Sequence, residues 1–251
     1  MDLNVDMGES FGRYKLGNDE EVMKYITSAN VACGFHAGDP LVMDTTVRLA
    51  KQYDVAVGAH TGIQDIRGFG RRRLDITPEE LKSDTLYQLG ALDAILKVHH
   101  MTMQHVKPHG ILYRMVSDEE KYAEAYLDAI ASFNPQLLIM IPRGTLIWQR
   151  GKELGLKMCA EILIDLSYDE EGNWVLERTK KARSPEEVAE RAVMVARDKQ
   201  ITTISGKRIN ADADTICCHG DSPNAEDVVR TVKAEFTRLG IPLMKLSDCG
   251  A

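Results

Sequence analysis

Residues 2–7 read D-L-N-V-D-M, and this segment distinguishes the two folds that are compatible with the rest of the chain. The alternating pattern predicts a β-strand with Asp2, Asn4 and Asp6 on one face. Burying three polar side chains within a sheet is costly unless they are hydrogen-bonded or bind a ligand. The lumen of a closed barrel with a site at its top meets that condition. We therefore favour a barrel over an open, doubly wound sheet.

Short apolar runs alternate with longer helical patterns along the whole chain, which predicts a parallel sheet of strand–helix units. Four helices are expected to begin after a capping residue that precedes proline, at Asp39, Thr77, Ser184 and Ser222. No linker divides the sequence, so we expect a single barrel domain over 1–251, with a lid or hairpin excursion at 165–183. Further strands are predicted at 29–33, 55–60, 104–108, 137–141, 156–162 and 214–220, followed by a last apolar run at 241–246.

Composition narrows the class of function. The 251 residues include 31 basic and 38 acidic side chains, a formal charge of -7, which argues against a protein that binds the nucleic-acid backbone. No apolar run is long enough to span a membrane, and the first ten residues carry acids where a signal peptide carries basic residues, so a cytoplasmic protein is expected. The cysteines lack CxxC spacing and are expected to be reduced, mostly buried thiols: Cys33, Cys159, Cys217, Cys218 and Cys249.

Ionisable side chains stand at or just beyond the carboxyl ends of six predicted strands. In parallel barrels and open α/β sheets, that edge carries the functional site. A lone histidine is more often structural than functional, but six such strand ends are hard to reconcile with a purely structural protein. The sequence therefore predicts a site formed by Asp6, His36, His60, Lys107, His109, Glu161, His219 and Asp221.

Two groups of these residues suggest particular chemistry. Asp6 and Glu9 are close enough in sequence to divide general-acid and general-base roles, although Glu9 is equally compatible with a solvated loop. His36 and His60 lie in glycine-containing segments, and with Asp6 they would suit zinc or manganese. No HxxxH or HExxH spacing fixes such a geometry. Two alternatives therefore stay open: a divalent metal bound by Asp6, His36 and His60, or a site without a metal.

A second pair of motifs offers electrophilic and basic groups. Lys107 and His109, two residues apart, could polarise a carbonyl and move a proton, and mutual repulsion would lower both pKa values. The alternative is a structural ion pair between Lys107 and an acid such as Asp6. His219 and Asp221 are expected to form a general-base pair in which the aspartate orients the histidine. Cys217 and Cys218 are expected to pack as small apolar side chains.

The segment GFGRRRLD, residues 68–75, predicts a mobile loop that could clamp a carboxylate or a phosphate through Arg71. For Arg72 and Arg73, a solvated basic run is the alternative. The chain contains neither GxxxxGK[ST] nor GxGxxG, so it lacks the sequence signatures of a phosphate-binding loop and a dinucleotide fold. If nucleotide energy is used, we expect another chain to bind the nucleotide.

These motifs resemble the LamB/YcsF (lactam utilisation) family nearly from end to end. The resemblance implies an irregular seven-stranded (β/α) barrel of the glycoside hydrolase/deacetylase type. It also implies a subunit that, with two partner proteins, opens 5-oxoproline to L-glutamate using ATP. The matching strings are NVDMGE (4–9), SANVACGFHAGD (28–39), VGAH (57–60), GFGR (68–71), TLYQLGA (85–91), HVKPHGILY (105–113), Glu161 and CHGD (218–221).

Position by position, the resemblance adds Asn4, Glu9 and Asn30 to the expected site. The catalytic candidates are Asp6, Glu9, Lys107, His109, Glu161 and His219. The substrate-binding candidates are Asn4, Asn30, His36, His60, Arg71 and Asp221.

The chain departs from the family pattern at Leu166, where an arginine is usual, and at 61–65, where a proline-rich stretch is usual. If that arginine contacts the substrate, the lactam differs from 5-oxoproline. Two other functions stay open: a metal-dependent deacetylase or glycosidase-like hydrolase that acts alone, and a subunit that binds ligand without catalysis.

Overall fold

Nine strands form in the computed structural model, which describes residues 1–175 and 181–249. Seven of them, all parallel, close a barrel in the order β1-β2-β3-β4-β5-β6-β9, and the other two make a small antiparallel hairpin. The strands are β1 (Asp2–Met7), β2 (Ser28–Ala32), β3 (Ala56–Thr61), β4 (Met103–Pro108), β5 (Leu138–Ile141), β6 (Lys157–Leu163), β7 (Gln200–Thr202), β8 (Arg208–Asn210) and β9 (Thr215–His219).

Helices follow most of the barrel strands. They are α1 (Asp19–Val22), α2 (Pro40–Gln52), α3 (Pro78–Val98), α4 (Gly110–Asp118), α5 (Glu120–Phe133), α6 (Leu146–Glu153), α7 (Pro185–Asp198) and α8 (Ala225–Arg238), with a final 3-10 turn at Leu246–Cys249. Among the described residues, no helix combines the length and the apolar character needed to cross a membrane.

Three of the four predicted helix starts are confirmed. The side chains of Asp39, Thr77 and Ser184 each accept a hydrogen bond from a backbone amide in the first turn of α2, α3 and α7. The fourth prediction is wrong by two residues, because α8 begins after Asn224 rather than after Ser222.

The barrel closes because β1 pairs with β2 on one side and with β9 on the other. Leu3 and Val5 of β1 belong to the large apolar core that the helices share with the outer faces of the strands. The alternate side chains of β1 bond to residues of neighbouring strands across the lumen. The closed seven-stranded (β/α) barrel predicted from the sequence is confirmed.

The lower lumen is a hydrogen-bonded polar network. Nδ2 of Asn30 donates to Oδ1 of Asn4 at 2.7 Å and to Oδ1 of Asp6 at 2.8 Å, and Asn4 donates to Thr215. Nε2 of His105 lies 2.7 Å from Oδ1 of Asn30. These bonds offset the cost of burying polar groups and fix the side chains below the site.

Glycine at position 58 makes room for one ring of this network. A Cβ atom there would lie 2.1 Å from the imidazole of His105, which faces Gly58 in the pairing of β3 with β4. Any larger residue would displace the ring.

Two segments differ from the sequence-based prediction. The run 241–246 forms no strand; instead Leu246 packs in a small apolar cluster with Leu138, Met140 and Cys159. The hairpin of β7 and β8 is absent from the predicted strands, although it carries a turn at Gly206.

The excursion predicted at 165–183 contains an antiparallel bridge between Tyr168 and Trp174, with a tight turn between them. Residues 176–180 lie outside the described part of the chain, and the lid stays a prediction. The four cysteines whose side chains are described are buried, as predicted; the Cys249 side chain lies outside this description.

Candidate active site at the carboxyl end of the barrel

The ammonium group of Lys107 is the centre of the site. Lys107 lies near the end of β4, and its Nζ donates to Oδ1 of Asp6 at 2.8 Å and to Sγ of Cys217 at 3.0 Å. Oε1 of Glu161 lies 3.2 Å away on the other side. Oε2 of Glu161 in turn accepts a hydrogen bond of 2.8 Å from the hydroxyl of Tyr113. One buried cation therefore joins β1, β4, β6 and β9.

This arrangement fixes the charge states of Asp6 and Lys107. Burial alone would raise the pKa of Asp6, but the charges of His60 and Lys107 outweigh burial and hold that pKa well below its ordinary value. Burial alone would lower the pKa of Lys107, but attraction to Asp6 holds it well above its ordinary value. The predicted lowering of the Lys107 pKa is therefore wrong, and the alternative of an ion pair with Asp6 is the one the structure shows.

Cys217 is buried in the apolar core, as predicted. The structure also places the Lys107 ammonium against its sulfur, a contact that the sequence does not predict. Burial raises the pKa of the Cys217 thiol well above its ordinary value, so the thiol stays protonated.

His219, at the end of β9, is oriented by Asp165 and not by Asp221. Nδ1 of His219 lies 2.9 Å from Oδ1 of Asp165, and the backbone amide of His219 donates to Oδ2 of the same carboxylate. Because a carboxylate only accepts, Nδ1 carries the proton and Nε2 presents a lone pair, 4.0 Å from Oδ2 of Asp6. The predicted pairing of His219 with Asp221 is wrong, because β6 and β9 are neighbours and Asp165 lies two residues beyond the end of β6.

Three imidazoles form a compact cluster beside Asp6. The rings of His36 and His109 stack with centroids 3.7 Å apart, and Nδ1 of His109 lies 2.9 Å from Nε2 of His60. Nε2 of His36 lies 3.3 Å from Oε1 of Glu9, and Nε2 of His60 lies 3.4 Å from Oδ2 of Asp6. Burial lowers the pKa of His36 and of His109 well below the ordinary value. The direction agrees with the prediction for His109, but the cause is burial and not repulsion by Lys107.

Glu9 is buried in this cluster and is not a solvated loop residue. Glu9, His36, His60 and His109 each offer one ligand atom, and all four atoms lie within 4.8 Å of one another, so this buried group could hold a metal ion. Asp6, which the sequence analysis includes in such a set, lies at the edge of the cluster with its other oxygen on Lys107.

A pocket opens above these groups and brings six of the predicted residues together. Of the six other lining residues, four are apolar, one is a glycine, and Tyr113 adds a hydroxyl. Tyr113 and Trp174 meet edge to face with ring centroids 5.0 Å apart. The lining consists of Asp6, His60, Arg71, Lys107, Pro108, His109, Gly110, Tyr113, Leu163, Leu166, Trp174 and His219.

The other predicted residues lie behind this lining. Asn4 and Asn30 are bonded in the lower lumen, whereas Glu9 and His36 lie behind His60 and His109. Glu161 supports Lys107 and Tyr113.

The arginines of the 68–75 loop are all paired with carboxylates. Nη2 of Arg71 lies 2.7 Å from Oδ2 of Asp221, Arg72 bonds to Asp65, and Arg73 is bonded to Glu119. Of these three arginines, Arg71 reaches the pocket, so Asp221 acts on the site through this side chain. The loop turns at Gly70, where an added Cβ would lie 2.7 Å from Cβ of His36 and 2.8 Å from Cδ2 of His109.

Comparison with known proteins places this barrel in a family. The family model for LamB/YcsF matches residues 1–250. The chain belongs to the LamB/YcsF family. The matched range includes all seven barrel strands and every residue of the candidate site.

Two curated relatives are named as subunits of 5-oxoprolinase. The protein of Pyrococcus furiosus is 45% identical over 250 residues, which is 99% of this chain and 98% of that protein. The protein of Clostridium beijerinckii is 45% identical over 249 residues, 98% of this chain and 97% of the relative. A solved structure, the lactam utilization protein from Thermus thermophilus, superposes with a TM-score of 0.91 at 37% identity, covering 97% of this chain and 98% of the other.

Four contributors to the site are not among the residues predicted from the sequence: Asp165, Tyr113, Leu163 and Trp174. The position of Asp165, just beyond the strand that carries Glu161, is the signal that identifies it. Trp174 has no comparable signal, because its place depends on how the segment after β6 folds back.

Proposed function

We propose that this chain is the barrel subunit of an ATP-dependent cyclic-amide hydrolase that opens 5-oxoproline to L-glutamate together with partner subunits. Family membership and the names of the curated relatives support the reaction class. One observation carries the proposal: the two oxygens of Asp6 face Lys107 at 2.8 Å and His219 at 4.0 Å. A fixed cation and an oriented base therefore share one carboxylate at the pocket floor.

The chemistry explains why ATP is needed. A lactam is stabilised by amide resonance, and transfer of a phosphoryl group to its oxygen converts it into an imidate that water attacks readily. Addition of one water and cleavage of the C–N bond leaves an acyl phosphate, and a second water releases phosphate and glutamate. We assign the phosphoryl transfer to a partner chain, because this chain lacks a phosphate-binding glycine motif.

His219 is the better candidate for the base that accepts the water proton. Asp165 holds its Nδ1–H, so the lone pair on Nε2 points towards Asp6 and the pocket. Asp6 is a weak proton acceptor, because its pKa is held well below the ordinary value. We assign Asp6 to the positioning of Lys107 and His219.

Lys107 is assigned to charge stabilisation. Its pKa is held well above the ordinary value, so it stays charged and opposes the negative charge that develops on oxygen when water adds. His109 is a poor donor to substrate, because its Nε2–H is bonded to the carbonyl oxygen of Phe69 at 2.8 Å. The electrophilic role predicted for Lys107 and His109 is therefore proposed for Lys107 alone.

The entrance of the pocket fits the two ends of the proposed substrate. Arg71 can bind a carboxylate through two parallel hydrogen bonds once Asp221 is displaced, and its side chain is 27% exposed. Leu163, Leu166 and Trp174 form a wall for the ring methylenes. With Leu166 in this wall, the ring side of the pocket is apolar.

The decisive experiment reconstitutes the complex with its partner subunits and follows both ADP and glutamate. We expect turnover of 5-oxoproline by the complex, none by the chain alone, and much weaker turnover of 2-pyrrolidinone, which lacks the carboxylate. Arg71→Gln should raise KM for 5-oxoproline with a smaller change in kcat, whereas Arg73→Gln, which lies outside the pocket, should not. Hydrolysis of acetylated sugars by the chain alone would instead support the deacetylase alternative. If replacement of Asp6 or Lys107 weakens substrate binding by the complex without any separate defect in chemistry, a non-catalytic binding role would be supported.

A further inference from the structure

In the cluster of three buried imidazoles, hydrogen bonds to backbone carbonyls indicate which ring nitrogens of His60 and His109 carry protons. Nδ1 of His60 lies 3.1 Å from the carbonyl oxygen of Lys107, and Nε2 of His109 lies 2.8 Å from that of Phe69. A carbonyl oxygen only accepts, so these outer nitrogens carry the protons in both rings. When both rings are neutral, the inner nitrogens, Nε2 of His60 and Nδ1 of His109, present lone pairs to each other across 2.9 Å.

Acceptors surround this contact on the other sides as well. Oδ2 of Asp6 lies 3.4 Å from Nε2 of His60, and Oε1 of Glu9 lies 3.8 Å from Nδ1 of His109 and 3.3 Å from Nε2 of His36. Lone pairs of Asp6, Glu9, His60 and His109 thus converge on this contact. Nε2 of His36 joins them when that ring carries its proton on Nδ1, which has no hydrogen-bond partner among the described residues. Such a set is unfavourable until a cation occupies the point between them.

From this convergence we propose that Glu9, His36, His60 and His109 bind one divalent first-row metal ion, of which zinc is the test ion. Four ligands about 2.1 Å from a tetrahedral ion stand about 3.4 Å apart. The observed separations of 2.9, 3.3 and 3.8 Å lie on both sides of that value, and all four ligand atoms fall within 4.8 Å. Three imidazoles and one carboxylate are donors that zinc and its neighbours prefer over magnesium or calcium.

The surroundings of His60 and His109 match those of metal-bound histidines. In such sites, the ring nitrogen that does not bind the metal donates to a backbone carbonyl or a carboxylate, which fixes the tautomer. His60 and His109 both have such a carbonyl partner. His60 and His109 also line the pocket, so an ion here would lie at the pocket wall beside Asp6.

The test measures bound metal and is independent of the proposed lactam chemistry. Chelator-treated full-length chain is titrated with Zn²⁺ by calorimetry and with Co²⁺ by visible absorption, whose intensity reports tetrahedral ligation. We expect one ion per chain in the wild type. His36→Gln and Glu9→Gln should each weaken binding by more than about 100-fold, the upper range for loss of an outer partner alone. His99→Gln, in which a histidine paired with Asp44 outside the cluster is replaced, should bind like the wild type.

Absence of saturable binding in the wild type, or equal binding by His36→Gln, Glu9→Gln and wild type, would overturn the proposal. Circular dichroism checks each fold; Glu9→Gln keeps the side-chain size and decides the matter if His36→Gln does not fold. A chain that binds zinc tightly but supports no lactam opening in the complex would keep the metal site and refute the proposed function. A chain that supports lactam opening in the complex but binds no zinc would keep the proposed function and refute the metal site.

Discussion

Nζ of Lys107 lies 2.8 Å from Oδ1 of Asp6, and the exposed fraction is only 2% for Lys107 and 4% for Asp6. The pair joins β4 to β1 across the lumen, and Glu161 completes it from β6. Because the two carboxylates share one buried ammonium, removal of that ammonium leaves both of them without a compensating charge.

Lys107→Met is therefore expected to reduce the free energy of unfolding by about 3–5 kcal/mol, as well as the activity of the complex. The loss should be smaller at low pH, where the two abandoned carboxylates can be protonated. Denaturant titration measures it, with Lys157→Met, at an exposed position at the start of β6, as the matched control. Equal unfolding free energies for Lys107→Met and Lys157→Met would contradict the ion-pair argument.

The stability of the protein should fall as the pH drops from neutrality, and His105 should account for part of that fall. Burial lowers the pKa of His105 to about 3, whereas the unfolded chain titrates near the ordinary value of 6.5. Between these values the unfolded state binds the extra proton, so the stabilisation is complete above pH 6.5 and is lost as the pH falls towards 3. The expected slope is about 1.4 kcal/mol per pH unit for this one proton.

Unfolding free energies at several pH values between about 7 and 4.5 measure this slope. His105→Gln should flatten it by about one proton, whereas His100→Gln, at an exposed position, should leave it unchanged. An unaltered slope in His105→Gln would show that the buried imidazole is not the group that titrates.

Asp165→Asn is expected to lower kcat of the reconstituted complex by roughly 100-fold or more, with a smaller effect on KM. The amide can no longer hold the Nδ1–H of His219 as a carboxylate does, so the lone pair at Nε2 is lost from its position. Steady-state kinetics measures the effect. Asp169→Asn, in the turn that follows, is the control, because Asp169 bonds to backbone and side-chain groups of its own turn. If both variants keep wild-type turnover, His219 is not the base.

The isolated chain should not bind Mg-ATP measurably. Arg71, Arg72 and Arg73 are each paired with a carboxylate, so a polyphosphate would have to displace Asp221, Asp65 or Glu119. The formal charge of -7 also disfavours a polyanion. Calorimetric titration is the measurement. Saturable micromolar binding that disappears in Arg71→Ala would prove this expectation wrong.

The barrel and the edge that carries the site follow from local patterns in the amino-acid sequence. Polar and apolar side chains alternate in β1, with Asp2, Asn4 and Asp6 on one face and Leu3 and Val5 on the other. This two-residue period predicts a strand without any knowledge of which strands lie beside it. Helix caps at Asp39 and Thr77 are local for the same reason. The common location of the ionisable residues is then predictable, because parallel strands deliver their carboxyl ends to one edge.

Which of these residues meet depends on the closed barrel. Asp165 lies 54 residues from His219 and is its partner because the barrel closes β6 against β9, whereas Asp221, two residues away, turns to Arg71. The charge of Lys107 likewise depends on distances to Asp6 and Glu161 across the lumen, not on its neighbour His109 in sequence. Electrostatic interaction falls with separation in space, and separation in space is set by strand order and register, which the local pattern does not contain.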